Sequence, residues 1–276
     1  MDYSPKKMQI MLKDYGFHFK KNFGQNFIVD ENLINSIICK AEIDSDTLVI
    51  EIGAGAGSLT AKLAKNAKQV LCYEIDNDLE PILRKNVTDL NVDIKFADFL
   101  KCDILSDISV YKYKKLYVVA NLPYYITTPI IMKLIEDKVP VDKIVVMVQK
   151  EVGNRFKAEP NSKEYGSLSI FLQYYFEVRK LLDVSRNVFV PKPNVDSIVV
   201  EFSKSQKMYA IKDEKVFFDL VKDSFTQKRK TLRNNLKMYD LDIIEKVLQR
   251  YGLDLSVRAE QLSISQFVEI SNSLCS

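Results

Sequence analysis

Histidine is nearly absent from this chain of 276 residues, which contains only His18. Catalytic triads and most zinc sites need histidines or closely spaced cysteines. The four cysteines, at positions 39, 72, 102 and 275, form no CxxC pair, so neither a structural zinc site nor a disulfide framework is expected. The chain is therefore predicted to bind no metal, and any catalysis would rest on positioning and on amide acceptors.

Long apolar runs are also missing. No stretch approaches the ~20 residues that a membrane span needs, and Lys13 and Asp14 interrupt the apolar N-terminal stretch that might resemble a signal core. With 47% apolar and 28% charged residues, the composition is that of a soluble globular protein. We therefore expect a cytoplasmic protein without a membrane partner, and nothing in the sequence demands more than a monomer.

Glycine is scarce, with eight residues in all, yet three of them stand at positions 53, 55 and 57. They follow the apolar run LVIEI at 48–52, which is typical of a buried strand, and a helical apolar pattern begins at residue 58. Glycine in such a turn lets the backbone approach a ligand closely. The spacing is GxGxG rather than the GxGxxG of pyrophosphate-binding folds. An adenosyl ligand without phosphates is therefore favoured over a nicotinamide or flavin cofactor.

Two carboxylates stand at the ends of the next predicted strands. Glu74 lies within QVLCYEI at 69–75, 21 positions after Gly53, near the ~20 expected of an acid that binds ribose hydroxyls. Asp98 ends VDIKFAD at 92–98, where it can accept from an adenine amino group. Taken alone, each acid is better explained as a solvent-exposed residue at the end of a strand. Because open α/β sheets bind ligands outside the carboxyl ends of their strands, the glycine turn and the two acids together predict an adenosyl pocket.

The run NLPY at 121–124 ends a further apolar stretch. An asparagine oxygen and the next backbone carbonyl can accept both hydrogens of an exocyclic amine, and an aromatic ring nearby can stack on a flat base. Proline has a fixed φ and no N–H, so it stiffens the turn that aims these acceptors. Taken alone, the run is explained equally well by a strand end, a proline turn and a core tyrosine. The neighbouring adenosyl pocket favours a site in which a methyl donor faces a planar amine.

Positive charge is concentrated in two places, although the net charge is only +3. The basic residues near the N-terminus are Lys6, Lys7, Lys13, Lys20 and Lys21, and those of the C-terminal part are Lys222, Lys228, Arg229, Lys230, Arg233 and Lys237. A lysine-rich run is usually a solvated helix face. Two such patches in a chain with a base-binding pocket indicate a surface for a phosphate backbone.

Strand and helix patterns alternate through most of the chain. Strands are predicted at 48–53, 69–75, 92–97, 116–121 and 143–149, helices at 58–66, 78–86 and 128–137, and an antiparallel edge hairpin from the runs 174–184 and 195–203. The alternation predicts a mixed, mostly parallel sheet with helices on both faces, the α/β fold of class I, Rossmann-like methyltransferases.

The pattern changes after residue 203. The runs 213–225, 240–250 and 264–274 have helical spacing, and they predict a small all-α domain. We therefore divide the chain into a methyltransferase domain at 1–203, in which 1–24 is a basic N-terminal segment, and a helical domain at 204–276, whose basic residues are predicted to bind RNA.

Several segments resemble those of one family, the ribosomal RNA adenine dimethyltransferases. The family's N-terminal cofactor motif, glycine turn, catalytic motif and second base-side loop are similar to KKNFGQNFIVD at 20–30, EIGAGAGSLT at 51–60, NLPYYITTPII at 121–131 and FVPKPNVDS at 189–197. QKRKTLRNNL at 227–236, RAEQLS at 258–263 and the leucine at 122 resemble the small-subunit branch, the kasugamycin-sensitivity type. The resemblance covers essentially the whole chain.

The resemblance implies S-adenosylmethionine as the cofactor and assigns roles to individual residues. Asn26 and Ile28 would border the methionine part, Gly53 would approach the cofactor backbone, Glu74 would bind the ribose and Asp98 the adenine amine. Asn121 would touch both the cofactor and the target base, the Leu122 carbonyl would accept from the base, and Tyr124 and Phe189 would sandwich the flipped adenine. Lys20, Lys21, Lys222, Lys228, Arg229, Lys230 and Arg233 are the candidate contacts to RNA.

The implied reaction transfers methyl groups to N6 of two adjacent adenosines in the 3'-terminal hairpin of small-subunit (16S) ribosomal RNA within pre-30S particles, giving N6,N6-dimethyladenosine. Two other functions stay open: a large-subunit (23S) RNA methyltransferase that confers macrolide-type resistance, and a mainly non-catalytic ribosome-assembly factor. A nicotinamide oxidoreductase is disfavoured by the GxGxG spacing and by the lack of a plausible proton-relay histidine or lysine.

Overall fold

A computed structural model describes residues 4–20, 24–122, 126–205 and 209–275. The strands in these ranges are β1 (Phe27–Ile28), β2 (Thr47–Ile52), β3 (Gln69–Glu74), β4 (Val92–Phe96), β5 (Lys115–Asn121), β6 (Lys143–Gln149), β7 (Phe176–Val184), β8 (Phe189–Val190) and β9 (Ser197–Lys204). The α-helices are α1 (Pro5–Asp14), α2 (Glu31–Ala41), α3 (Thr60–Leu63), α4 (Glu80–Asn86), α5 (Ile104–Ile108), α6 (Thr127–Glu136), α7 (Lys150–Phe156), α8 (Ser167–Tyr175), α9 (Glu214–Ser224), α10 (Leu232–Asn235), α11 (Leu241–Gln249) and α12 (Ile264–Leu274). Short 3₁₀ helices occupy Asn77–Leu79, Phe99–Lys101, Arg186–Val188 and Ala259–Gln261.

Seven of the strands form one mixed sheet in the order β4-β3-β2-β5-β6-β9-β7. The strands β2 to β6 are parallel to one another, and β9 is antiparallel to β6. The strand order reverses at β2, which lies between β3 and β5. Because ligands of open α/β sheets bind at such a reversal, the carboxyl ends of β2, β3 and β5 are where a site is expected.

The central strands are buried on both faces, which is why they appear in the sequence as continuous apolar runs. Every residue of β2 is buried. On one face Val49 packs in a core with Ile34 and Ile37 of α2, and on the other face the ring of Tyr73 in β3 lies 5.1 Å from that of Phe99. The ends of the predicted strands lie within two residues of the observed ones, whereas the helix predicted at 58–66 is regular only over Thr60–Leu63.

The N-terminal segment contributes buried side chains to a hydrophobic cluster. Ser4 caps α1 by accepting from the Lys7 N–H, and the α1 side chains of Met8 and Leu12 pack in a cluster with Phe27. Next, β1 pairs antiparallel with β8, so that Ile28 lies opposite Phe189. The segment thereby reaches β8, which precedes the last strand, β9. The sequence patterns predicted neither α1 nor β1.

The chain divides into two compact units, Met1–Gly153 with Arg179–Ser203, and Asn154–Val178 with Lys204–Ser276. The second unit has its own core, which includes Phe217 of α9 and Phe267 of α12. The division proposed from the sequence placed residues 154–178 with the first domain. In the structure Tyr165 and Ile170 are buried in the helical core, and α8 continues to Tyr175 where a strand was predicted. Across the described ranges, every helix is too short or too polar to serve as a membrane span.

Candidate active site

A pocket opens in the first unit at the carboxyl ends of β2, β3 and β5. Its lining comes from the N-terminal segment, the strand ends and the start of α6, at residues 24–28, 51–56, 58–59, 73–75, 79, 97–100, 121–122, 126 and 130. Gly53, Glu74, Asp98 and Asn121 are predicted site residues that come together here. Asn26, Ile28 and Leu122 also line the pocket.

The glycine turn forms one wall of the pocket. Its backbone adopts conformations that other residues avoid. Gly53 has a φ of 78° and Gly55 a φ of 59°, in the left-handed region that favours glycine. A Cβ atom on Gly55 would lie 3.0 Å from the ring of Phe27. The Gly55 N–H donates to Oε2 of Glu74 at 2.8 Å, so the turn also fixes the carboxylate at the end of β3.

Glu74 is held from both sides by main-chain donors. Its Oε1 accepts from the Asp76 N–H at 2.9 Å, and only 5% of the residue is exposed. Burial raises the pKa of Glu74, while the N–H groups of Asp76 and Gly55 act in the opposite direction. Each carboxylate oxygen can accept a further bond, so the position suits recognition of a pair of hydroxyl groups.

Two exposed apolar side chains flank the acids. Ile75 follows Glu74 directly and is 46% exposed, and Leu100 lies two residues after Asp98 and is 36% exposed. Asp98 caps the 3₁₀ helix Phe99–Lys101, and its side chain accepts from the Leu100 N–H at 3.1 Å. Both apolar residues line the pocket, where they provide walls for a flat ring. The sequence reasoning missed them, although an apolar residue next to an acid at a strand end is a usable signal.

Asn121 is oriented by the N-terminal segment. Its Nδ2 donates to the carbonyl oxygen of Asn26 at 2.8 Å, so Oδ1 is the atom that can accept from an amino group. The Asn26 side chain in turn donates to the Gly24 carbonyl at 3.0 Å. The sequence placed Asn26 beside the cofactor, whereas the structure also makes its main chain the partner of Asn121.

The lining of the pocket is acidic in composition. Among the lining residues that the structure describes, Glu51, Glu74 and Asp98 are acids, and none is a lysine or arginine. Glu51 is 1% exposed, and its Oε2 has no hydrogen-bond partner within the described residues. Such a lining suits a positively charged ligand and opposes a pyrophosphate, so the residues fit a sulfonium cofactor with an adenosyl group.

Other predicted site residues lie elsewhere. Phe189 is 3% exposed and packs in the core of the first unit, and it is not one of the residues that line the pocket. The predictions for Tyr124 and Lys21 lie outside the described residues. The Lys20 ammonium pairs with Asp76 at 2.6 Å and with Asp78 at 2.5 Å, so acids of the same chain compensate the charge that was assigned to RNA.

The C-terminal basic residues belong to the second unit. Those at 222, 228, 229, 230 and 233 are exposed, and they lie in α9, in α10 or between these helices. The Lys228 ammonium donates to the carbonyl of Lys163, and Arg233 lies 3.8 Å from Glu245. The structure therefore presents this patch to solvent, and its role toward RNA stays a prediction.

The sheet is mostly parallel, and its strand β2 leads through the glycine turn into an acidic pocket that fits an adenosyl sulfonium. This combination defines a class I, S-adenosylmethionine-dependent methyltransferase. Comparison with known proteins gives the family. The family model of ribosomal RNA adenine dimethylase matches residues 16–275, and the chain belongs to this family.

Individual relatives agree with this assignment. The chain is 47% identical over 281 aligned positions to ribosomal RNA small subunit methyltransferase A of Bacillus mycoides, with 98% of this chain and 96% of the relative covered. A dimethyladenosine transferase from Plasmodium falciparum is 26% identical with a TM-score of 0.73, covering 87% of this chain and 94% of that one. The 23S rRNA methyltransferase ErmE, at 24% identity, shares the fold with a TM-score of 0.73, covering 91% of this chain and all of its own.

Glu51 makes the stability of the cofactor-free protein depend on pH. Burial raises the pKa of Glu51 from 4.5 to about 8, and the charge of Glu74 adds to the rise. Between these values the folded state binds a proton that the unfolded state has lost, so stability is lost as the pH rises, by at most about 1.4 kcal/mol per pH unit. We expect Glu51→Gln, which cannot titrate, to lose less stability than the wild type between pH 5.5 and 8. Urea unfolding at several pH values measures the difference, and parallel curves for the two proteins would contradict it.

Proposed function

We propose that this enzyme transfers methyl groups from S-adenosylmethionine to adenine N6 in small-subunit ribosomal RNA, twice on each target base. The identity of 47% to small-subunit methyltransferases over nearly the whole chain supports this substrate. The likeness to the large-subunit enzyme is 24% and concerns the fold. The observation that supports the chemistry is the bond from Asn121 to the Asn26 carbonyl, because Oδ1 of Asn121 is then the atom that can accept from a base.

The donor side is built from the turn and the two acids. The Gly53 backbone lets the ligand approach closely, Glu74 accepts from the ribose hydroxyls, and Asp98 accepts from the adenine amine. Asn26 and Ile28 border the methionine part. When bound, S-adenosylmethionine supplies an electrophilic methyl group on a positively charged sulfur, which the acidic lining favours.

The acceptor side holds a poor nucleophile still. The lone pair of the adenine amine is delocalised into the ring, and accepting its two hydrogens at the Asn121 oxygen and the Leu122 carbonyl localises that pair on nitrogen. Proper alignment of the two reactants can be worth ~7–11 kcal/mol. No general base is required, because the nitrogen becomes acidic as its bond to the methyl carbon forms and the sulfur–carbon bond breaks. Its proton then leaves to water.

The target base has to leave its stack, at a cost of a few kcal/mol. An aromatic ring against the extruded base would recover ~1–3 kcal/mol, and we propose this role for Tyr124. The same role for Phe189 stays a prediction, because the ring is buried in the core and would have to turn out of it to reach a base.

We further propose that the exposed C-terminal basic patch contacts RNA phosphates in pre-30S particles, with the enzyme acting as a monomer in the cytoplasm. In this proposal Lys222, Lys228, Arg229, Lys230 and Arg233 carry the contacts. Lys20 has a structural role instead, since Asp76 and Asp78 compensate its charge.

Replacing Arg229 and Lys230 by glutamine should weaken binding to unmethylated small subunits without changing the affinity for S-adenosylmethionine. The slope of log K against log salt should fall by about one for each phosphate contact that is lost. The matched control is Lys215→Gln, because Lys215 is also exposed but pairs with Asp219 at 2.9 Å. Filter binding at several salt concentrations measures the slope, and an unchanged slope would remove these residues from the interface.

The decisive experiment compares two RNA substrates. The enzyme and labelled S-adenosylmethionine are incubated with unmethylated small subunits and, separately, with naked large-subunit RNA, followed by nucleoside analysis. N6,N6-Dimethyladenosine in the small-subunit reaction supports the proposal, and transfer confined to large-subunit RNA overturns it. An Asn121 variant that no longer transfers methyl groups but still cosediments with small subunits would show that binding is separable from chemistry.

A further inference from the structure

Asp76 is a buried carboxylate two positions beyond Glu74, and only 1% of it is exposed. It does not line the pocket, yet both of its oxygens accept from the N-terminal segment. Oδ1 accepts from the Lys20 ammonium at 2.6 Å, and Oδ2 accepts from Nε2 of Gln25 at 2.6 Å. The carboxylate therefore ties the end of β3 to residues more than fifty positions earlier in the chain.

The contacts around Gln25 fix the direction of its amide. The main-chain N–H of Lys20 donates to Oε1 of Gln25 at 2.9 Å, so Nε2 is the atom that faces Asp76. Oδ1 of Asp76 also accepts from the Asp78 N–H at 3.1 Å. The arrangement satisfies each donor with an acceptor, so it specifies one position for the segment around residue 25.

The two sides of the active site meet through this arrangement. The main-chain N–H of Asp76 donates to Oε1 of Glu74, on the donor side. Gln25 precedes Asn26, whose carbonyl accepts from Nδ2 of Asn121, on the base side. A continuous set of hydrogen bonds and one peptide link therefore joins the ribose-binding acid to the asparagine that accepts from the base.

We propose that Asp76 is a positioning residue that places the Asn26 carbonyl and thereby fixes the orientation of the Asn121 amide. This inference rests on the roles proposed above for Glu74 and Asn121. The physical reason lies in the symmetry of the amide group. If the Asn26 carbonyl is displaced, the Asn121 side chain can turn over and present its NH₂ group to the amino group of adenine. Two donors would then face each other, and the lone pair of the base would no longer be localised.

The test uses Asp76→Asn, which keeps the size of the side chain but gives it a donor in place of one acceptor. Turnover at saturating S-adenosylmethionine on unmethylated small subunits is measured per cofactor-binding molecule, from the calorimetric stoichiometry, so that misfolded protein does not count. We expect kcat to fall about 10- to 100-fold, because charge-assisted hydrogen bonds are lost, and KM for S-adenosylmethionine to change less. Asp78→Asn is the matched control. Asp78 is 64% exposed at its side chain and shares Lys20, and its loss should change kcat less than about twofold.

A second variant separates positioning from general destabilisation. Gln25→Ala removes the same link from the other partner, so Gln25→Ala combined with Asp76→Asn should lower kcat little more than the more damaging single change. If the fold-losses of kcat in the two single variants multiply in the double variant, the inference is overturned. A wild-type kcat for Asp76→Asn would overturn it as well. If Asp76→Asn does not fold, the kcat of Gln25→Ala decides alone. An Asn121→Ala enzyme that keeps its turnover overturns the role proposed for Asn121 instead, whereas an inactive Asn121→Ala beside a fully active Asp76→Asn overturns only this coupling.

Discussion

Replacing Asn121 with alanine is expected to lower the rate of methyl transfer about 1000-fold while the fold stays intact. The expectation follows from removing an acceptor that is already oriented before the base arrives, an effect that costs ~10²–10³ in rate for comparable groups in other enzymes. Asn121 lies at the end of β5, and within the described ranges its side chain donates to the Asn26 carbonyl. Single-turnover transfer from labelled S-adenosylmethionine measures the rate, and circular dichroism checks the fold.

Asn121→Asp is the control for this prediction. It keeps an oxygen that can accept from the base, but it brings a carboxylate toward the Asn26 carbonyl in place of the amide donor. We expect an activity between those of the wild type and the alanine variant. An alanine variant with most of its turnover intact would show that Asn121 does not hold the base.

Replacing Phe267 with alanine is expected to destabilise the second unit by about 3–5 kcal/mol. The side chain is fully buried in α12, and its ring lies 6.2 Å from that of Phe225. The described residues that line the pocket all belong to the first unit. Affinity for S-adenosylmethionine should therefore stay within about twofold, while binding to small subunits weakens as the helical unit unfolds. Thermal unfolding followed by circular dichroism and calorimetric titration with the cofactor measure the two effects.

Met238→Ala is the matched control in the same unit. Met238 is 97% exposed, so its truncation should change stability by no more than about 0.5 kcal/mol. If Phe267→Ala lowers cofactor affinity in parallel with stability, the two units do not unfold independently, and the proposed division of labour between them is wrong.

The strands of the sheet could be predicted because each carries its own signal. A strand buried on both faces needs an apolar run whatever its neighbours are, and β2, β3, β5 and β6 were found for this reason. Short or capped elements carry a weaker signal. The two residues of β1 gain their pairing only from β8, and α8 ends where a run of apolar and aromatic residues continues into β7 without a break.

The sequence by itself determined that Gly53, Glu74 and Asp98 line one pocket. Gly53, Glu74 and Asp98 follow consecutive strands, and parallel strands bring their carboxyl ends to one edge, so their convergence follows from the alternation of strands and helices. It also determined the family, through motifs in the right order along the whole chain.

Only the tertiary structure decided how the Asn121 amide is oriented and that Lys20 pairs with acids of the same chain. The Asn26 carbonyl reaches Asn121 across 95 positions, and Asp76 meets Lys20 across 56. Such contacts depend on where the N-terminal segment packs, and no local periodicity encodes that position. The burial of Phe189 was equally hidden, because an aromatic residue in a loop motif has the same pattern whether its ring faces a base or the core.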